Sequence, residues 1–416
     1  MMKHTLLLAI ISLCISFGYA QKFDQLAATP PMGWNSWNGF GCNVDEKLVR
    51  ETADSIVTSG MKDAGYKYVV IDDCWQGERD ANGFIQPNAQ RFPSGMKALG
   101  DYIHAKGLKF GIYSDAGAKT CGGFPGSRGH EYQDALAYAG WGVDYLKYDW
   151  CDSAGLNPIG SYTTIRDALF AAKRPIVLSI CEWGDNKPWE WAIPVGHLWR
   201  TTGDITSCWD CEENHGSWSK WGILRILDKQ KPLRIHSGPG HWNDPDMLEV
   251  GNGMTVNEDR AHFSLWAMLA APLIAGNDVR KMSMETREII TNKEVIAIGQ
   301  DTLGLSAYPA LTEDGLEIWV KPLVNDAFAV CFLNRTGAAR NIEFSWKDKY
   351  IKDDSFQRQL DAAKINYKIR DLWTKKDMGT TESVLKTAIP AHDVVMLRLT
   401  RWKFVYRLSL KIPTQT

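Results

Sequence analysis

Eight short apolar runs, each followed by a longer stretch, fill residues 30 to 280 of this chain. The runs lie at 68–71, 108–113, 143–146, 176–180, 197–199, 233–235 and 272–275, with 32–34 as a weak first. Amphipathic segments at 46–60, 95–106, 131–140 and 162–173 separate several of them. Strand alternating with helix predicts a parallel sheet. Eight such units over this length predict a closed (β/α)8 TIM barrel rather than an open sheet. No GxGxxG or P-loop follows the first strand, which argues further against a nucleotide-binding fold.

The pattern changes after Leu303. Short alternating runs at 316–321, 327–333, 340–346, 367–373, 383–389 and 393–399 are separated by Gly, Asn and Asp. That pattern predicts an antiparallel β-sandwich. A chain of 416 residues suits one large domain and a smaller one. The expected division is a barrel over 21–300, a sandwich over 301–400 and an unassigned basic, aromatic tail over 401–416.

Residues 1–20 read as a signal peptide. Lys3 and His4 open it, an apolar run follows, and Gly18-Tyr19-Ala20 offers a small-residue cleavage site. The run is too short to span a bilayer. The mature protein is therefore expected to be exported, secreted or periplasmic, with no membrane span, in a compartment where disulfides persist. Eight cysteines remain once Cys14 is removed, and spacing alone does not fix their pairing. Cys208-x-x-Cys211 is expected as a local disulfide or a thiol pair. No second CxxC or paired His completes a zinc site. A net charge of −2 without a basic stripe gives no basis for nucleic-acid binding.

Polar residues crowd the ends of the predicted strands: Asp72-Asp73-Cys74-Trp75, Tyr113-Ser114-Asp115, Lys147 and Asp149, Cys181-Glu182-Trp183, then Arg200 and Asp204. A further polar stretch ends in Asp244-Pro245-Asp246-Met247. Any single Asp here could cap a helix. The whole set, delivered to one rim, implies a ligand with many hydroxyls. Glycoside hydrolysis fits, because it needs two carboxyl groups flanking one bond. Metal-assisted sugar isomerisation is the physical competitor. Asp72 and Asp73 are adjacent, so their side chains diverge and suit separate hydroxyls better than one ion. No metal and no cofactor is expected. The eighteen Trp suit sugar stacking and core filling about equally.

Seven motifs in this order resemble the family 27 glycoside hydrolases, the clan of lysosomal, plant and bacterial alpha-galactosidases. They are Pro31-Met32-Gly33-Trp34-Asn35-Ser36-Trp37, Ile71-Asp72-Asp73-Cys74-Trp75, Phe110-Gly111-Ile112-Tyr113-Ser114-Asp115, Lys147-Tyr148-Asp149, Cys181-Glu182-Trp183, Trp199-Arg200-Thr201-Thr202-Gly203-Asp204-Ile205 and Trp242-Asn243-Asp244-Pro245-Asp246-Met247. The resemblance implies a retaining exo-glycosidase acting on an alpha-galactoside. It implies Asp149 as nucleophile and Asp204 as acid/base. Trp34 would form a wall of the sugar pocket, and Asp72, Asp73, Lys147 and Arg200 would hold hydroxyls. Tyr113, Trp183, Asp246 and Met247 would line the cleft. Disulfides Cys42–Cys74 and Cys121–Cys151 are implied too, with Cys121 and Cys151 also counted among the substrate-binding candidates. Glu182 matches relatives that recognise a free 2-hydroxyl. The alternative keeps the mechanism and changes the sugar, to an alpha-N-acetylgalactosaminidase or a beta-L-arabinopyranosidase. Trp150 departs from the family pattern, as does the Cys208-x-x-Cys211 segment. Oligomeric state and the natural galactoside are not legible in the sequence.

Overall fold

The computed structural model describes residues 22–402. The expected signal peptide and all of the tail beyond Trp402 lie outside the described residues. The first domain is a ring of parallel strands: β1 (Met32–Asn35), β2 (Tyr68–Ile71), β3 (Lys109–Asp115), β4 (Tyr145–Asp149), β5 (Val177–Ile180), β6 (Leu198–Arg200), β7 (Trp242–Asp244) and β8 (Leu273–Ala275). They pair in sequence order, and β8 returns to pair with β1. The last join, between the β7 segment and β8, is a single bridge between Leu248 and Ala275. Its hydrogen bonds run from Leu248 N to Ile274 O (2.8 Å) and from Gly276 N to Leu248 O (3.0 Å).

The short first strand depends on its glycine. Gly33 lies opposite Tyr68, and a Cβ at Gly33 would sit 2.4 Å from the Tyr68 carbonyl oxygen. Only a residue without a side chain lets the two backbones approach this closely.

One expected strand is corrected. The run at 233–235 is not β7; it lies in a 3-10 turn, Lys231–His236. Pro232 has no N–H to give a ladder, and Ile235 is 57% exposed. The true β7 carries Trp242-Asn243-Asp244, with one apolar residue. The predicted helices appear at Glu46–Thr58, Gly95–Ala105, Glu131–Trp141 and Pro158–Ala171. Seven of the eighteen tryptophans are fully buried and fill cores, Trp34 and Trp199 among them.

The second domain has an antiparallel six-stranded sheet in the order Tyr308–Glu313, Leu316–Pro322, Phe328–Asn334, Val394–Arg401, Tyr367–Asp371, Lys376–Thr380. Two antiparallel pairs, Arg340–Phe344 with Leu385–Ile389 and the hairpin Tyr350–Asp353 with Arg358–Asp361, share its core through Phe332, Phe344, Trp346 and Leu360. All six predicted runs are strands. The other four strands were not anticipated.

The helix Val256–Leu269 lies between the two domains. Its start is fixed by a capping box of Thr255 and Glu258. Ten of its fourteen residues are buried, as expected of a helix covered on all sides. Trp319, Cys331 and Met396 of the sandwich join the barrel's core against it. Arg234 of the barrel grips Asp353 of the sandwich through two bonds of 2.9 and 2.5 Å, both side chains buried.

Candidate active site

The strands deliver their polar ends to one face of the ring, around a cavity of about 570 Å³. Strand alternation decides which residues face it. Lys147 and Asp149 of β4 line the cavity, whereas Tyr148 between them is buried outside, edge-on to Tyr162. The parallel register sets Tyr113 beside Lys147 and Asp115 beside Asp149.

Two charge clusters meet across this cavity. In the first, Lys147 Nζ donates to Asp72 Oδ2 at 2.9 Å and lies 5.2 Å from the Tyr113 ring centroid. Asp72 Oδ2 also accepts from Asn35 Nδ2 at 2.6 Å, and Asp72 Oδ1 from the Asp73 N–H at 2.9 Å. Asp73 Oδ2 points away and accepts from Gly122 N at 2.6 Å. The two adjacent carboxylates thus diverge. In the second cluster, Arg200 Nη2 reaches Asp246 Oδ2 at 2.9 Å and Asp204 Oδ1 at 3.1 Å. Asp246 adopts a positive φ of 85°, a costly backbone for a non-glycine. Its two oxygens accept from Ile205 N (2.9 Å) and Met247 N (2.8 Å), which fix it there.

Asp149 is buried and accepts from the Trp150 N–H at 3.0 Å. Burial pushes its carboxyl up to about 6; the Lys147 charge opposes this, and Asp204 adds to it. Burial works to lower the Lys147 pKa, but Asp72 and Asp149 outweigh it and hold the ammonium well above its ordinary value. Glu182 is also pushed up by burial, to about 7.

Asp72, Asp73, Tyr113, Cys121, Lys147, Asp149, Trp183, Arg200, Asp204, Asp246 and Met247 all line the cavity. Three expected site residues do not. Trp34 is fully buried, its indole N–H on Asn277 O at 2.8 Å. Glu182 is fully buried and turned to its own loop, accepting from Asn186 N at 2.6 Å and Asn186 Nδ2 at 2.7 Å. Cys151 is disulfide-bonded to Cys121 and donates its N–H to Asp115 Oδ2 at 2.9 Å. Trp150, which departs from the family pattern, stacks on Tyr162 at 5.5 Å in the core.

Both implied disulfides are present, and Cys208–Cys211 is a third. Asp115, Cys121 and Cys151 are the one grouping of metal-type ligands among the described residues. The disulfide leaves their sulfurs without thiolates to coordinate an ion. The cavity's outer wall was not anticipated: Trp37 and Asn38 after β1, Thr206, Ser207 and Lys220 beyond β6, and Glu249 and Asn252 beyond β7. Glu249 ties two of these loops, accepting from Asn38 Nδ2 and from Asn252 Nδ2. Of this wall only Trp37 sits in a recognisable motif.

Residues 29–301 match the family model described as Alpha galactosidase A, and residues 313–399 the one described as Alpha galactosidase C-terminal beta sandwich domain. The Alpha-galactosidase A of Cellvibrio japonicus is 63% identical over 380 residues, 91% of this chain and 94% of that protein. The Alpha-galactosidase of Cyamopsis tetragonoloba is 45% identical over 380 residues, 91% of this chain and 87% of that protein. The structure of the Saccharomyces cerevisiae alpha-galactosidase with raffinose superposes with a TM-score of 0.83 at 31% identity, covering 91% of this chain and 98% of that one.

Proposed function

The chain belongs to the alpha-galactosidases of glycoside hydrolase family 27, and we propose that Asp149 and Asp204 cut terminal alpha-D-galactosyl residues from its substrates by double displacement. The observation that carries this reading is that two carboxyl groups share one cavity, each beside a cation. The Lys147 charge, bonded to Asp72, acts on Asp149, and Arg200 holds Asp204 together with Asp246. An Asp149 oxygen bonds to the anomeric carbon as the bond to the leaving oxygen breaks, and Asp204 gives that oxygen its proton. Water then attacks the same carbon, Asp204 takes its proton, and Asp149 is released. Net configuration is retained, and this route calls for carboxyls roughly 5–5.5 Å apart.

Asp72, Asp73 and Lys147 form the hydroxyl-binding floor. The resting Lys147–Asp72 bond already satisfies one lone pair, so a sugar hydroxyl completes a network rather than creating one. Arg200 contributes donors from the opposite wall. Export rests on the three disulfides, and among the described residues no helix is long and apolar enough to cross a membrane.

Equal concentrations of aryl alpha-galactoside, aryl alpha-N-acetylgalactosaminide and aryl beta-L-arabinopyranoside test the sugar. The galactoside should show the highest kcat/KM. Preference for either of the others would overturn the assignment.

The raised Asp149 carboxyl sets a pH dependence. Asp149 attacks only as the carboxylate, so kcat/KM should fall as pH drops through about 6. That limb lies above the ordinary Asp value of about 4. Lys147→Met removes the neighbour that lowers Asp149, so the limb should move to higher pH. A limb that stays in place in this variant would contradict the pairing.

A further inference from the structure

The segment after Asp204 ends in a β-hairpin, Glu212–Asn214 with Ser219–Trp221, that the reaction does not use. Gly216 has a φ of 89° at its tip, where a two-residue turn needs that conformation. The register sets Lys220 opposite Glu213, and the His215 N–H donates to Trp218 O at 2.9 Å. Side chains two apart share a face. Glu213, His215, Trp218 and Lys220 therefore lie on one side of the hairpin. That side is the cavity side, because Lys220 lines the cavity and Glu213 accepts from cavity-lining Thr206 at 2.8 Å. Trp221, on the other side, packs into the barrel core.

Trp218 is 49% exposed, unlike the seven tryptophans that fill cores. Its ring stacks on His215 at 4.2 Å and 17°, and Lys220 Nζ lies 6.0 Å from its centroid. The result is a half-exposed indole with His215 stacked on one face and Glu213 and Lys220 beside it, on a hairpin that follows Asp204 in the chain. The hairpin is held to the catalytic loop. Trp221 N donates to Asp204 O (2.8 Å) and Thr206 N to Trp221 O (3.0 Å). The Cys208–Cys211 disulfide closes its base, where Ile223 N donates to Cys208 O at 3.0 Å.

We infer that this hairpin is a leaving-group subsite, with Trp218 as the platform for a sugar ring beyond the one bonded to galactose. The inference rests on the proposed function above. An indole face receives the C–H side of a pyranose, and the charged rim supplies partners for its hydroxyls. An isolated indole among three charged or polar side chains suits a polyol, not a lipid chain. The substrate class is therefore a hydrophilic galactosylated oligosaccharide or polysaccharide.

The test compares a manno-oligosaccharide bearing one alpha-galactosyl branch with p-nitrophenyl alpha-galactoside. In Trp218→Ala the ratio of kcat/KM, oligosaccharide over aryl galactoside, should fall about tenfold, chiefly through KM. Trp218→Tyr should keep that ratio within about threefold of the parent. An unchanged ratio in Trp218→Ala would overturn the subsite, including the case where both substrates lose activity together. Failure of the underlying function would look different: the unaltered protein would release galactose from neither substrate.

Discussion

Asp149→Ala should abolish turnover of an aryl alpha-galactoside, lowering kcat by on the order of 10⁴-fold or more. No other carboxylate can replace it from the same direction. Asp115 is tied to Gly117 N and Cys151 N, and Asp72 is held by Lys147 and Asn35. The substitution should not unfold the protein. Asp149 makes one side-chain hydrogen bond, to Trp150 N, and burial disfavours its charge. A thermal midpoint at or above that of the parent is therefore expected alongside the lost activity, as when strain is relieved at a functional site. Azide should restore part of the rate by entering the vacated space and yielding the beta-galactosyl azide. Near-parental turnover without azide would rule out Asp149 as nucleophile.

Asp353→Ala should give the largest loss of stability, far from the chemistry. Arg234 is buried, stacked 4.6 Å from the Tyr308 ring and 4.5 Å from the Phe356 ring. Its other partner is Ser306 O, at 3.2–3.3 Å. Removing Asp353 leaves a desolvated guanidinium without its counter-charge, a cost of about 3–5 kcal/mol. Denaturant unfolding should show that loss, while KM for the aryl galactoside stays at the parental value. Arg234→Met combined with Asp353→Leu should recover most of it, because a packed apolar pair avoids burying charge. A loss below about 1 kcal/mol for Asp353→Ala would mean that the pair is hydrated and behaves as a surface contact.

What the sequence reveals follows from where the physics is local. β2 and β5 are buried at every position, so an apolar run marks each, broken only by Ser179 in β5. β7 carries no such run. Asn243 is buried because Trp199 Nε1 donates to its side chain at 2.8 Å, a partner 44 residues away. The four unanticipated sandwich strands have the opposite problem. Lys376–Thr380, for example, is mostly exposed and polar, so nothing distinguishes it from a loop. At the site, the chemistry-bearing ends of β2 to β6 were legible because each follows its apolar run directly, whereas Asp246 and Met247 were marked only by their motif. The outer wall was not. Asn38 and Glu249 meet only once the ring has closed, and no spacing rule links residues that far apart.

The single bridge at Leu248 gives the ring one stave that is riveted rather than glued. The other strands reach the cavity on continuous ladders. From Pro245 to Met247 the chain is instead located by individual fastenings: Trp266 Nε1 on Asp246 O at 2.8 Å, and Ile205 N and Met247 N on the Asp246 carboxylate. Changing one fastening can re-aim Asp246 and Met247 without disturbing a sheet register. The aim of these two cavity-lining side chains is therefore set by single contacts, independently of the barrel's register.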